Sequence, residues 1–514
     1  MSDTARIRID RDYVIGQIDE KCFSSFVEPL GRCVTNGLYE PGHPEADAKG
    51  FRQDVLRLTR PLRLALNRFP GGNYVSTYRW EDSIGPKDRR PRRADPAWLS
   101  IETNQFGVDE FADWSKQNGS GIMMTVNLAT RGVLEAMDVL EYCNFDKGTA
   151  WSDLRAANGH REPHGIRYWC LSNETDGPWQ VGQKTARDYG LLAREAAKGM
   201  KLLDRSIQTV LAGSSSPSMP TFPSYDAEAL EIAYDQVDYL SVHNYLHNAA
   251  GDTPDYVAKP IGTDRYLRSA IATLDHVQAR TRSKKQVHLS FDEFNTWHGV
   301  TGNERFEIEP WQIAPKLLED QYTMEDAVTL GGMLLAVLRH ADRVKVACIS
   351  ELVNCISHIR TENGGAAWVL PPYYTYLTYS LHGRGESLQT LVLESPVYRS
   401  ASFEGVPLLD AHATRNGGDL TLFAINRSVD GDLPFEADIR GFEDYRVIEH
   451  IVLASANAKD TNTRDDPHHV APRAIGNAKV EDGIVKAVLA PLSWNVIRLR
   501  APEPDGLSII SASP

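Results

Sequence analysis

Residues 166–174 read Ile166-Arg167-Tyr168-Trp169-Cys170-Leu171-Ser172-Asn173-Glu174. A short, nearly continuous apolar run stops abruptly on polar side chains. A strand covered on both faces reads this way, whereas a half-solvated strand alternates. Seven further runs share the pattern: Cys22–Val27, Leu62–Phe69, Gly121–Leu128, Ile207–Gly213, Val237–Val242, Val287–Phe291 and Val344–Ile349. With Ile166–Ser172 they make eight candidate strands. Helical periodicity falls between them. Tyr189, Leu192, Ala196, Met200 and Leu203 recur at three- and four-residue steps, as do Leu267, Ile271, Leu274 and Val277. Glu325–Arg339 is a long apolar helix candidate with a basic end suited to the helix dipole. Eight buried strands with room for a helix after each predict an α/β fold, a (β/α)8 TIM barrel. A doubly wound open sheet is the alternative, but no Gly-rich phosphate turn follows the first strand.

The pattern changes after about Gly383. Leu420–Asn426, Tyr445–Leu453 and Val485–Leu499 are separated by turn clusters such as Asn416-Gly417-Gly418-Asp419, and helical periodicity nearly vanishes. This predicts a C-terminal antiparallel β-sandwich of jelly-roll type. Ala5–Ile18 alternates and is expected to add strands to it. The division is therefore 1–19 as strands joining the sandwich, 20–383 as the catalytic barrel and 384–514 as the sandwich. The end, Ala501–Pro514, is expected to fray.

Composition narrows the class. The 514 residues carry 55 Lys and Arg against 69 Asp and Glu, a net charge of −14. That balance disfavours sequence-independent nucleic-acid binding, which needs basic surface. A hydrophobic share of 42% excludes disorder over most of the length. Six cysteines without a CxxC pair read as buried thiols in a reducing compartment. Met1–Asp12 lacks the apolar core of a signal peptide, and no run reaches the ~20 apolar residues of a membrane span. A cytoplasmic protein without membrane contact is expected.

In such a barrel the reacting groups stand at the C-terminal ends of the strands. Glu28, Pro70-Gly71-Gly72-Asn73, Asn127, Asn173-Glu174, Ser214-Ser215-Ser216, His243 with Tyr245, Asp292-Glu293 and Glu351 follow the eight runs in order. They should converge on one mouth. Glu174 and Glu293 come directly off apolar strands, and strands four and seven should face one another across the barrel. Glycoside hydrolysis needs one carboxylic acid to protonate the leaving oxygen and a second carboxylate on the other side of the anomeric carbon. Taken alone, either glutamate reads equally well as a salt-bridged strand end. Trp80, Trp98, Trp179, Trp297 and Trp311 lie at or after strand ends, where flat rings suit sugar faces. Core filling accounts for two or three of them.

Several motifs make the match specific: Glu28-Pro29-Leu30-Gly31-Arg32, Phe69-Pro70-Gly71-Gly72-Asn73, Ile101-Glu102-Thr103-Asn104-Gln105-Phe106-Gly107, Trp169 through Trp179, Ser290-Phe291-Asp292-Glu293-Phe294-Asn295 and Leu352-Val353-Asn354. From Phe23 to Tyr379 the chain resembles glycoside hydrolase family 51, whose main activity is α-L-arabinofuranosidase. The resemblance implies Glu174 as general acid/base and Glu293 as nucleophile of a retaining double displacement. It implies Asn173, Asn73 and Glu28 as sugar contacts, and His243 and Tyr245 as the family's His-x-Tyr, with the tyrosine holding the nucleophile. Trp297 is implied as a subsite wall. It also implies exo-action on terminal arabinofuranosyl residues of arabinoxylan- or arabinan-derived oligosaccharides and a homo-oligomer, commonly a hexamer; no cofactor and no metal are expected, because the sequence carries no fingerprint for either. The chain departs from the family at Pro29, where histidine is common, and at substrate-facing Glu351, where glutamine is common. Asn244 and Leu246–Asp255 depart as well.

Other signals are weaker. Lys87–Arg93 is a basic run that reads as a solvated loop before a nucleic-acid patch. His468-His469 lacks further ligands at metal-site spacing. Ser214–Ser216 does not fit GxSxG, and no P-loop or GxGxxG is present. A related β-xylosidase or endo-glucanase, and a non-catalytic sugar-binding protein of the same fold, remain as alternatives.

Overall fold

The computed structural model describes residues 4–299 and 306–502. The far end of the expected frayed tail, 503–514, lies outside the described residues. Eight parallel strands close a barrel. In chain order they are Ser24–Phe26, Leu66–Phe69, Gly121–Val126, Tyr168–Leu171, Gln208–Ala212, Tyr239–Leu246, His288–Thr296 and Val344–Ile349. Each pairs with its neighbours in sequence, and the eighth returns to the first through Cys348 and Ile349 beside Ser24 and Ser25. The strands are apolar on both faces because both faces are covered. Phe26, Leu66, Met123, Cys170, Val210, Tyr239 and Val346 plug the interior, while the helices cover the outside.

Several boundaries differ from expectation: the sixth and seventh strands run on to Leu246 and Thr296, so His243, Tyr245, Asp292 and Glu293 lie within them and not after them. Arg60–Leu62 is a 3-10 turn ending on Arg63 in the left-handed region, so the second strand starts later, at Leu66. The run Val485–Leu499 is two strands, Ile484–Leu489 and Ser493–Arg500. Pro491 and left-handed Leu492 break it.

After the barrel the chain forms a ten-stranded sheet, nearly all antiparallel. The N-terminal strand Ala5–Gln17 lies in its middle, antiparallel to Glu386–Glu394 and parallel to Leu433–Arg440. The helix Met324–Arg339 is apolar all round because it lies between the barrel and this sheet. Gly331 permits the approach, since a Cβ there would meet the Trp494 ring at 2.7 Å. All six cysteines are buried and free. Among the described residues no helix is long and apolar enough to cross a membrane.

Candidate active site

A cavity of about 400 Å³ opens at the C-terminal ends of the barrel strands. Glu28, Asn73, Glu174, Tyr245, Glu293, Trp297 and Glu351 line it, joined by Trp98 and Trp179. Asn173 and His243 lie beneath them, buried. The strand-end reading placed two groups wrongly. Asn127 is spent holding loops together: its amide donates to Ser76 O in the segment after the second strand, and its oxygen accepts from the Thr130 backbone in its own turn. Trp80 packs on Tyr142 and Trp151 in the core, and Trp311 is exposed away from the cavity. Strands four and seven do not face one another: they stand three places apart around the ring.

The two glutamates meet instead over the sixth strand between them. His243 Nδ1 is 2.9 Å from Glu174 Oε1 and 3.5 Å from Glu293 Oε2. One oxygen of each carboxylate and the histidine nitrogen all lie within 4.8 Å of one another. Glu174 sits in the left-handed region (φ 44°), which turns its side chain off the strand line. Its Oε2 accepts from the Trp179 indole at 2.8 Å.

Glu293 has different partners. Its Oε2 accepts from Arg68 Nη1 at 3.0 Å and its Oε1 from the Tyr245 hydroxyl at 2.9 Å. Burial pushes its carboxyl up and Glu174 adds to this, while His243, Arg68 and Tyr245 pull it back. The cations that do so are themselves held. Burial opposes a charge on His243, but Glu293, Asp292 and Glu174 outweigh it and raise the imidazole to about 10. Burial likewise opposes the charge on Arg68, which Asp292 and Glu293 sustain. Asp292, fully buried, stays below the usual carboxylate range despite burial, through Arg68 and His243. Glu174, His243 and Glu293 also form a donor set of the kind that holds a cation. Here Arg68 already faces Glu293, and the charged imidazole faces both carboxylates.

The far wall carries a second acid pair. Glu28 Oε1 accepts from Trp98 Nε1 at 2.7 Å and from the Tyr74 backbone at 2.8 Å. Glu351 Oε2 accepts from the Glu28 backbone at 3.1 Å. Both carboxyls are pushed well up, first by burial; Glu351 raises Glu28, and Glu293 raises both. Gly72, with φ 57°, passes so close that a Cβ would lie 1.9 Å from Glu28 Oε2. Asn73 Oδ1 and Trp297 Nε1, on two of the lining residues, are buried without a protein partner. Pro29 is not among the lining residues.

Sequence reasoning missed Arg68, which bridges Glu293 and, at 2.6 Å, Asn173 Oδ1. Its signal was a lone cation inside an apolar strand, which burial obliges to find a counter-charge. It also missed Ser218, Met219 and His247 on the rim. The basic run is only partly solvated: Arg90 is buried, with both terminal nitrogens on Glu110.

Relatives carry the same architecture. Residues 58–255 match the α-L-arabinofuranosidase 1 domain, and residues 292–493 match the α-L-arabinofuranosidase C-terminal domain. An intracellular exo-α-(1→5)-L-arabinofuranosidase of Halalkalibacterium halodurans is 48% identical over 501 residues, 97% of this chain and 99% of the relative. An exo-α-(1→6)-L-arabinofuranosidase of Bifidobacterium longum is 40% identical over 97% of this chain and 98% of its own. The structure of a family 51 α-L-arabinofuranosidase from Bifidobacterium longum superposes with a TM-score of 0.92 at 36% identity, covering 97% of this chain and all of that one. With this similarity running through barrel and sheet alike, the chain belongs to the α-L-arabinofuranosidases of glycoside hydrolase family 51.

Proposed function

We propose that the protein is a retaining exo-α-L-arabinofuranosidase acting on terminal residues of arabinan- or arabinoxylan-derived oligosaccharides. The observation that carries this reading is the short gap between two carboxylates with opposite surroundings. Retaining glycosidases hold their carboxyl groups roughly 5–5.5 Å apart, inverting ones farther, to admit a water. Oxygens within 4.8 Å fit the former. Glu293, braced by Arg68 and Tyr245, attacks the anomeric carbon as an anion. Glu174 delivers a proton to the departing oxygen, and the Glu174–His243 contact at 2.9 Å stores that proton beside it. Esterification of Glu293 removes the charge that does most to hold the imidazole proton. Glu174 then takes a proton from the water that releases the sugar. A single pocket walled by Trp98, Trp179 and Trp297 supports exo-action, and the word "intracellular" in relatives' names supports a cytoplasmic place. Relatives are named for both (1→5) and (1→6) linkages. The test is proton NMR of the first sugar released from nitrophenyl α-L-arabinofuranoside. The expected product keeps its anomeric configuration; an inverted first product would sink the double displacement.

Glu351 gives a pH signature. Burial, with Glu293 beside it, pushes the Glu351 carboxyl well above its ordinary value, so it holds its proton to higher pH than a free carboxyl and while protonated can donate to a sugar hydroxyl. As pH rises through its raised value it loses that proton and becomes a further anion beside Glu293. KM should therefore climb on the alkaline side in the native enzyme. In Glu351→Gln, which donates at every pH, the climb should flatten. A KM–pH profile identical in both proteins would refute the assignment.

A further inference from the structure

A second group of ligating side chains gathers on the outer ring, none of it lining the catalytic cavity. Asp109 and Asp113 stand four residues apart on the helix Val108–Asn118 and share a face. His160 and His164 lie in the loop that leads to the fourth barrel strand. His164 Nε2 is 2.8 Å from Asp109 Oδ1, and His160 Nε2 is 3.9 Å from Asp113 Oδ2. One donor atom from each of Asp109, His160 and His164 lies within 4.8 Å of the other two. The Tyr142 hydroxyl donates to Asp109 Oδ2 at 2.7 Å, which orients the carboxylate and leaves Oδ1 facing the histidines. A separate cavity of about 310 Å³, lined in part by Asp109, Asn158 and His160, gives a path inward.

We propose that Asp109, His160 and His164 form a binding site for a divalent cation of the zinc type, with its fourth position towards Asp113. Two imidazoles and a carboxylate are a donor set that zinc accepts. Metal–ligand bonds of about 2.0–2.2 Å put donors roughly 3.3–3.5 Å apart, so the Asp109–His164 pair opens slightly and His160 closes in. His160 is partly exposed and in a loop, so it can make that movement. A plain hydrogen-bonded tie between helix and loop explains His164 and Tyr142. It does not explain a second histidine with a ring nitrogen in reach of both. The nearby cations are already engaged: Lys49 pairs with Asp113, while Lys87 and Arg90, which line the same cavity, pair with Glu110.

The test uses the full-length, tag-free protein, stripped with chelator and dialysed. Calorimetric titration with zinc should give one saturable equivalent per chain and a raised Tm, and cobalt should give tetrahedral absorption bands. His160→Ala should keep the metal-free Tm and arabinofuranoside turnover, yet weaken zinc binding at least about tenfold. Absence of saturable binding, or an equivalent that His160→Ala leaves in place, overturns the proposal.

Discussion

Replacing Glu293 by alanine is expected to lower kcat on nitrophenyl arabinofuranoside on the order of 10⁴-fold or more, because the attacking group itself is gone. The carboxylate is positioned from two sides, by Arg68 at 3.0 Å and Tyr245 at 2.9 Å, so no neighbour can take its place. Asp292, the adjacent acid, is occupied beneath the site by Ser241 and Ser290. Truncation leaves a space on the reacting face, beside two cations. Azide suits that space in size and charge. It should restore turnover and yield a glycosyl azide of inverted configuration, because one displacement then replaces two. Steady-state rates with and without azide, and NMR of the azide product, check this. Full activity of Glu293→Ala would remove Glu293 from the reaction, and a variant that binds sugar alongside a native protein that turns over no glycoside would favour a binding protein.

Glu174→Ala should show a loss that depends on the leaving group. Proton delivery by a positioned acid contributes typically about 10²–10⁴-fold. That loss should fall on arabino-oligosaccharides, whose departing alkoxide needs the proton. A dinitrophenyl group leaves without one, so formation of the glycosyl-enzyme should survive while its hydrolysis slows. Pre-steady-state release should then show a burst. Azide here should give a product of retained configuration, the opposite of the Glu293 result, because it replaces the water and not the nucleophile. Equal losses with good and poor leaving groups would count against Glu174 as the acid/base. The variant also frees the Trp179 indole and one side of His243, so its Tm should be measured alongside.

The barrel was legible because its strands are covered on both faces, which leaves runs such as Tyr168–Leu171 with little polar interruption. Their ends were less so. Leu62 belongs to a turn and not to the strand, because apolar character marks burial and not conformation. The same limit merged the two strands on either side of Pro491. The catalytic glutamate candidates were visible as acids directly after apolar runs, and the structure brings both to one cavity. Asn127 has the same sequence context, yet its oxygen is consumed by its own turn and its amide nitrogen by Ser76, about fifty positions earlier, a pairing that the chain does not announce. Arg68 was missed for the converse reason. It lies inside a strand, where periodicity offers no reason to ask what the charge faces, and its partners Glu293 and Asn173 are more than a hundred positions away.

The place of Ala5–Gln17 in the middle of the C-terminal sheet has a consequence for synthesis. Its partners Glu386–Glu394 and Leu433–Arg440 are translated long after it. At about 5–20 residues per second the strand waits roughly 20–90 s on the ribosome with both edges bare. An alternating strand in that condition is a template for pairing with other nascent chains. Arg6 and Arg8, which finally pair with Glu436 and Asp438, meanwhile keep it charged, so the same side chains that lock the finished sheet guard it while it is unfinished.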